Sequence, residues 1–125
     1  MSNHPTATDP NGITVSEHWC DTTVILDCAG VLDMLTAPEL ETRIAIALDK
    51  QPTSMIVDLT PTTFLASHGI NVLVTAHYRC ANTVFAVVAD GYATWRPLQL
   101  TGLIGILTVH ATLGDALGNL AASTR

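Results

Sequence analysis

The residue pair in this chain most open to chemistry is Ser67-His68, a hydroxyl beside an imidazole. A serine nucleophile needs a base that reaches its hydroxyl. Adjacent residues at a helix start point in different directions, so a direct Ser67–His68 hydrogen bond is geometrically awkward. The G-x-S-x-G elbow is also missing. His18, His77 and His110 have no ligand spacing with one another, and Cys20, Cys28 and Cys80 show no C-x-x-C, which argues against a closed metal site. Neither G-x-x-x-x-G-K-[ST] nor G-x-G-x-x-G occurs, so no phosphate-cradling loop supports a nucleotide-binding enzyme. With no acid, base and nucleophile at workable spacing, neither catalysis nor a cofactor or metal is expected. What Ser67 can do is carry a phosphate. On a helix-starting serine that group meets free backbone N–H groups and the positive end of the helix dipole. The modification would leave the fold intact while adding about two negative charges to a surface. The plainer role of the same residue is a helix cap.

The elements that must position Ser67 follow from composition and periodicity. The chain has 125 residues, enough for one domain with a real hydrophobic core. Its residues are 48% hydrophobic and only 13% charged, so it should fold. The net charge is −6 with five Lys and Arg, which leaves no basic stripe, and direct binding to nucleic acid is not expected. The apolar runs fall short of the roughly 18 residues of a membrane span. Residues 1–12 read as a flexible polar tail with no apolar h-region and no basic cluster. A cytoplasmic location is therefore expected, with the three cysteines as reduced, partly buried thiols.

Ile13 to His18 and Thr23 to Ala29 read as a hairpin stopped by Gly30. Thr36 to Asp49 reads as a helix, with Thr36 and Glu39 as a capping box and Pro38 in the first turn. Its inner face would be Ala37, Leu40, Ile44, Ala47 and Leu48, with Glu41 and Arg43 opposite. Met55 to Leu59 is a short apolar run and a buried strand, and Thr60 to Ala66 is a link. Ser67 would cap a helix from His68 to Ala81 with Ile70, Leu73, Val74 and Tyr78 inward and His77 partly buried. Thr83 to Ala89 is the next strand. A helix from Thr94 with Pro97 in its first turn ends at Gly102. Ile106 to Val109 is a last strand, and Leu113, Ala116, Leu117 and Leu120 mark a closing helix. The alternation predicts an α/β domain over residues 13–122, a mixed sheet of about five strands covered by about four helices.

Three segments resemble one family. Gly30-Val31-Leu32-Asp33 followed by Thr36-Ala37-Pro38-Glu39-Leu40 is similar to the G-x-L-D-x-x-T-A-x-x-L start of STAS domains. Ile56-Val57-Asp58-Leu59, then Phe64-Leu65-Ala66-Ser67-His68-Gly69-Ile70, resembles the strand and the F-[ML]-D-S-[ST]-G-[LI] switch loop. Leu98-Gln99-Leu100-Thr101-Gly102-Leu103 resembles the L-x-L-T-G-L end of the third helix. Order and spacing agree from about Ile13 to Ala122. The resemblance implies an anti-sigma factor antagonist. Such a domain binds an anti-sigma factor, often a serine kinase of histidine-kinase-like fold, and so frees a sigma factor. It also implies a phosphorylation site at Ser67. Ala66 stands where the family has an Asp, and His68 where it has a second Ser or Thr.

The implied contact surface is Asp33 together with Thr63, Phe64, Ala66, Ser67, His68, Gly69 and Asn71. The alternative is an interaction module without phosphoregulation, constitutive or redox-responsive through its cysteines.

Overall fold

The computed structural model describes residues 6–9 and 12–123. Seven strands form one mixed sheet: β1 (Thr6–Asp9), β2 (Ile13–Cys20), β3 (Thr23–Leu32), β4 (Ser54–Asp58), β5 (Thr62–Leu65), β6 (Val84–Val88) and β7 (Val109–His110). The helices are α1 (Ala37–Asp49), α2 (Ser67–Arg79), α3 (Trp95–Leu100) and α4 (Leu113–Ser123), with a short 3₁₀ turn at Leu103–Gly105. The spatial order is β1-β2-β3-β4-β6-β7, with β5 also on β3. The hairpin β2–β3 is antiparallel, and β3, β4, β6 and β7 run parallel. The expected α/β layering and four helices are therefore present.

Two strands go beyond the expected five. Within the span read as a tail, Thr6–Asp9 pairs antiparallel with β2, Thr6 opposite Ser16 and Asp9 opposite Ile13. The rest of that reading, residues 1–5, 10 and 11, lies outside the described residues. Thr62–Leu65, read as a link, is the second extra strand. Four residues are too few for a period to show. The last strand is Val109–His110, shifted from Ile106–Val109 because Leu103 to Ile106 are drawn into the 3₁₀ turn.

Parallel pairing buries the sheet on both faces, which is why β4 is buried at all five positions. On one face α1, α2 and α3 close a core around Val24, Leu26, Leu40, Ile44, Met55, Val57, Leu73 and Leu98. On the other, α4 is the one helix among the described residues that covers Ile25, Ile56, Ala86 and Val88, through Ala116 and Leu120.

Several local expectations are corrected. Thr36 precedes α1, but no side chain caps that helix; the Thr36 hydroxyl is committed to the preceding turn. Arg43, read as outward, is buried beside Glu17. Glu17 lies in β2 under α1 with no exposed side-chain surface; its Oε2 accepts hydrogen bonds from Lys50 Nζ and Trp19 Nε1, each at 2.7 Å. Tyr78, read as inward, is exposed, and Ala76 takes the buried position. His77 is half-buried as expected, with the Tyr78 ring edge-on at 5.1 Å. The third helix starts after Thr94 and stops before Gly102, whose φ of 77° ends it.

Candidate partner-binding site

Parallel strands deliver their following loops to one end of the sheet, and the expected surface is assembled there. β4 pairs with β3 only over Thr23–Asp27. β5 then takes up the same track, with Val31 opposite Phe64 and Leu32 opposite Leu65. The register shifts at Gly30, where φ is 115° and a Cβ would run into the Gly12 carbonyl oxygen. Only glycine fits that bulge, which bends β3 onto β5. The Ala66 N–H then donates to the Leu32 carbonyl at 2.8 Å, tying the start of α2 to the end of β3.

Gly69 completes the clamp. A Cβ there would lie 2.9 Å from Leu65 Cδ1 and 3.0 Å from Leu32 Cβ. Gly69 is buried. It is packed so that α2 can approach β3. Asp33, Thr63, Phe64, Ala66, Ser67, His68 and Asn71 are brought to the one end, and all but the half-buried Asp33 and Ala66 are exposed.

The turn after β3 directs its polar atoms inward. Asp33 Oδ1 accepts the N–H groups of Leu35 at 2.9 Å and Thr36 at 3.1 Å. The Thr36 hydroxyl accepts the Asp33 N–H at 2.9 Å and donates to the Val31 carbonyl at 2.6 Å. With Asp33 Oδ1 and the Thr36 hydroxyl engaged inside it, the turn shows water its apolar side chains. Met34 is 62% and Leu35 60% exposed, and Phe64 on the paired strand is 54% exposed. Sequence reasoning missed Met34 and Leu35. The signal was an apolar pair inside a turn, outside the α1 stripe.

Ser67 is the first helical residue of α2 and not its cap. Ala66 holds the cap position in extended backbone, and no side chain caps the helix. The exposed Ser67 hydroxyl therefore stands at the dipole's positive end without the capping bond a serine at position 66 would make. Ser67, His68 and Asn71 line one shallow depression.

The same end gathers carboxylates. Asp27 and Asp58 are cross-strand neighbours, the last pair of β3–β4. Asp58 Oδ1 accepts the N–H and hydroxyl of Thr60 at 2.9 and 2.6 Å. Burial and then the Asp58 charge push the Asp27 carboxyl up from its ordinary range, against a smaller pull from His18. Cys28 is fully buried, and burial, then Asp27 and Asp58, push its thiol far up; Cys80 is also raised by burial. Both are thereby poor thiolates. Among the described residues no group of three or more His, Cys, Asp or Glu is placed to hold a metal ion. No helix among them is long and apolar enough to cross a membrane.

Comparison with known proteins gives a consistent result. The STAS domain model matches residues 15–116. The anti-sigma-F factor antagonist RsfB of Mycobacterium tuberculosis is 35% identical over 112 residues, 89% of this chain and 90% of its own length. The crystal structure of an anti-sigma factor antagonist from Mycobacterium paratuberculosis superposes with a TM-score of 0.84 at 35% identity, covering 90% of this chain and 97% of that one. The Bacillus protein SpoIIAA, an anti-sigma factor antagonist in its unphosphorylated form, shares the fold at 17% identity and a TM-score of 0.68, over 86% of this chain and 96% of its own.

Proposed function

This chain belongs to the STAS domain family, in its anti-sigma factor antagonist group, and from that premise we propose that it binds an anti-sigma factor of the serine-kinase type and thereby releases a sigma factor. The binding surface is the loop end built by Asp33, Met34, Leu35, Thr63, Phe64, Ser67, His68 and Asn71. It works by binding and carries out no catalysis of its own, in the cytoplasm.

One observation carries the reading. Exposed Ser67 is fixed at the start of α2 by the Ala66–Leu32 hydrogen bond and the Gly69 contact, in the same assembly that exposes Met34, Leu35 and Phe64. Exposed apolar side chains grouped on a rigid end are what a protein partner buries. A phosphate on Ser67 would be tolerated by the helix and badly placed in a complex. It would bring about two charges into a contact shaped for a neutral hydroxyl, a cost of several kcal/mol unless a counter-ion is supplied. Phosphorylation of Ser67 is therefore the switch that ends binding.

The alternative, constitutive binding, draws its support from Ala66, where no carboxylate is present to orient the hydroxyl or a kinase-bound metal. Redox control gains little from Cys28 and Cys80, whose thiols are held protonated. The discriminating experiment is a pull-down from a lysate of the source cell, with wild type and Ser67→Glu side by side. Capture of a kinase-type anti-sigma factor by wild type alone supports the switch. Equal capture by both supports constitutive binding, and capture of no anti-sigma factor by either removes the antagonist reading.

A further inference from the structure

The sheet's two faces are held very differently. Among the described residues three helices cover one of them and α4 covers the other. The α4 side is a separate cluster: Ile25, Ile56, Ala86 and Val88 on the sheet, with Ala116 and Leu120 buried and Leu113 and Leu117 partly buried from the helix. Register places the sheet residues in a row, Ile25 beside Ile56 and Ile56 beside Ala86.

The helix that covers this row has a built-in weakness. Gly114 and Gly118 lie one turn apart on its exposed side. Packing does not call for either. Among the described residues a Cβ at Gly118 meets nothing within 4 Å, and one at Gly114 meets only the Thr112 hydroxyl, at 3.8 Å. Gly69 is the contrast, since there the close approach to Leu32 and Leu65 excludes a side chain. Nor does either α4 glycine have the left-handed backbone that would call for the residue. A mid-helix glycine without a packing reason lowers helix stability relative to alanine. In α4 that loss falls on an element whose buried contacts, among the described residues, are few and confined to one small cluster.

We propose that α4 is a conformational device, a cover that opens as a unit of its own. It exposes the Ile25–Ile56–Ala86–Val88 row while the three-helix face and the Ser67 end stay folded. Proteins open in such cooperative units when an element's buried contacts are few and separate from the main core. The two glycines set how often it opens. This device lies on the opposite face from α1 and α2 and does not depend on how Ser67 is used.

Native-state amide hydrogen exchange on the full chain tests it. The amides of Leu117 and Leu120, inside α4, should exchange at least a hundredfold faster than those of Leu26 and Val57, with little dependence on low denaturant. Gly118→Ala should slow the α4 amides by roughly fivefold. Gly114→Ala, in the first turn, should slow them less, and it stands in if the first variant is poorly behaved. Exchange of α4 in step with Leu26 and Val57 would overturn the proposal, because the helix would then leave only with global unfolding. Fast α4 exchange that neither alanine slows would overturn it too, since the glycines would not be its cause.

Discussion

Charges meet in opposite ways at two places in this molecule. On the flank where α1 lies over β2, Glu17 has no exposed side-chain surface and faces Lys50, Arg43 and the Trp19 indole. Burial alone would raise its carboxyl, but the hydrogen bonds from Lys50 and Trp19 and the charges of Lys50 and Arg43 outweigh that and lower it. At the loop end, carboxylate meets carboxylate in Asp27–Asp58, and Met34, Leu35 and Phe64 meet water. On the flank opposite charges face one another, while the buried Glu17 Oε1 accepts no hydrogen bond among the described residues. At the loop end like charges adjoin and apolar side chains meet water, and of these residues Phe64 is one that the family resemblance marks. Each half of this difference can be tested.

The largest effect belongs to the flank. Glu17→Ala removes the buried carboxylate that faces the Lys50 ammonium and the Arg43 guanidinium. The expected loss is about 2–4 kcal/mol, below the upper range for a wholly buried pair because the Lys50 head reaches water. Denaturant unfolding measures it. Partner affinity of the folded protein should be unaltered. A variant as stable as wild type would mean that the flank is not the structural region described.

The loop end should respond the other way round. Ser67→Glu should keep a near-wild-type melting temperature, since an anion at a helix start is tolerated or worth about 0.3–1 kcal/mol. It should weaken the anti-sigma factor complex by about a hundredfold or more in titration calorimetry. Acidic variants that bind as well as wild type would remove the charge switch and leave constitutive binding as the better account. Phe64→Ala should cost about tenfold in the same titration and little in stability, because the ring is already half in water. If Phe64→Ala instead unfolds the protein while binding survives, the exposed ring belongs to the core and the contrast between the two regions collapses.

The order of elements could be read from the residues alone. The helix over residues 37–49 carries its period, the strand Met55 to Leu59 its apolar run, and the helix after Thr94 its breaker at Gly102. What stayed hidden needed the third dimension. Glu17 alternates correctly for an inward strand position, but a charge there reads as outward until Lys50 and Arg43 are seen above it. Arg43 was assigned to the wrong face for the same reason. β5 stayed hidden because a four-residue strand is defined by its partner, β3. Met34 and Leu35 were passed over because their exposure results from Asp33 and Thr36 consuming the turn's polar groups, a matter of hydrogen bonding and not of composition. Gly69 looked like a surface residue in a motif, and only its distance to Leu32 shows it as packing.

The smallest expected effect is also the most direct comparison of the two kinds of carboxylate, because their pH dependences have opposite signs. Glu17 is lowered in the folded state, so its stabilisation is present above the unfolded carboxyl range and is lost as pH falls through the lower folded value. Asp27 is raised, by burial first and by Asp58 second. Its protonated form is favoured by folding, so its contribution is fully present below the unfolded value near 3.8 and is lost as pH rises through the higher folded one. At neutral pH Asp27 is therefore a mild cost. Asp27→Asn removes the like charge beside Asp58 and should raise stability at pH 7 by less than about 1 kcal/mol, since the group is partly open to water, which screens the repulsion. At pH 3, where the native carboxyl is already protonated, the gain should vanish. Unfolding curves of wild type and Asp27→Asn at both pH values decide the matter. A variant less stable than wild type at pH 7 would mean that the Asp27 carboxylate is compensated in place, and that the loop end follows the same rule as the flank.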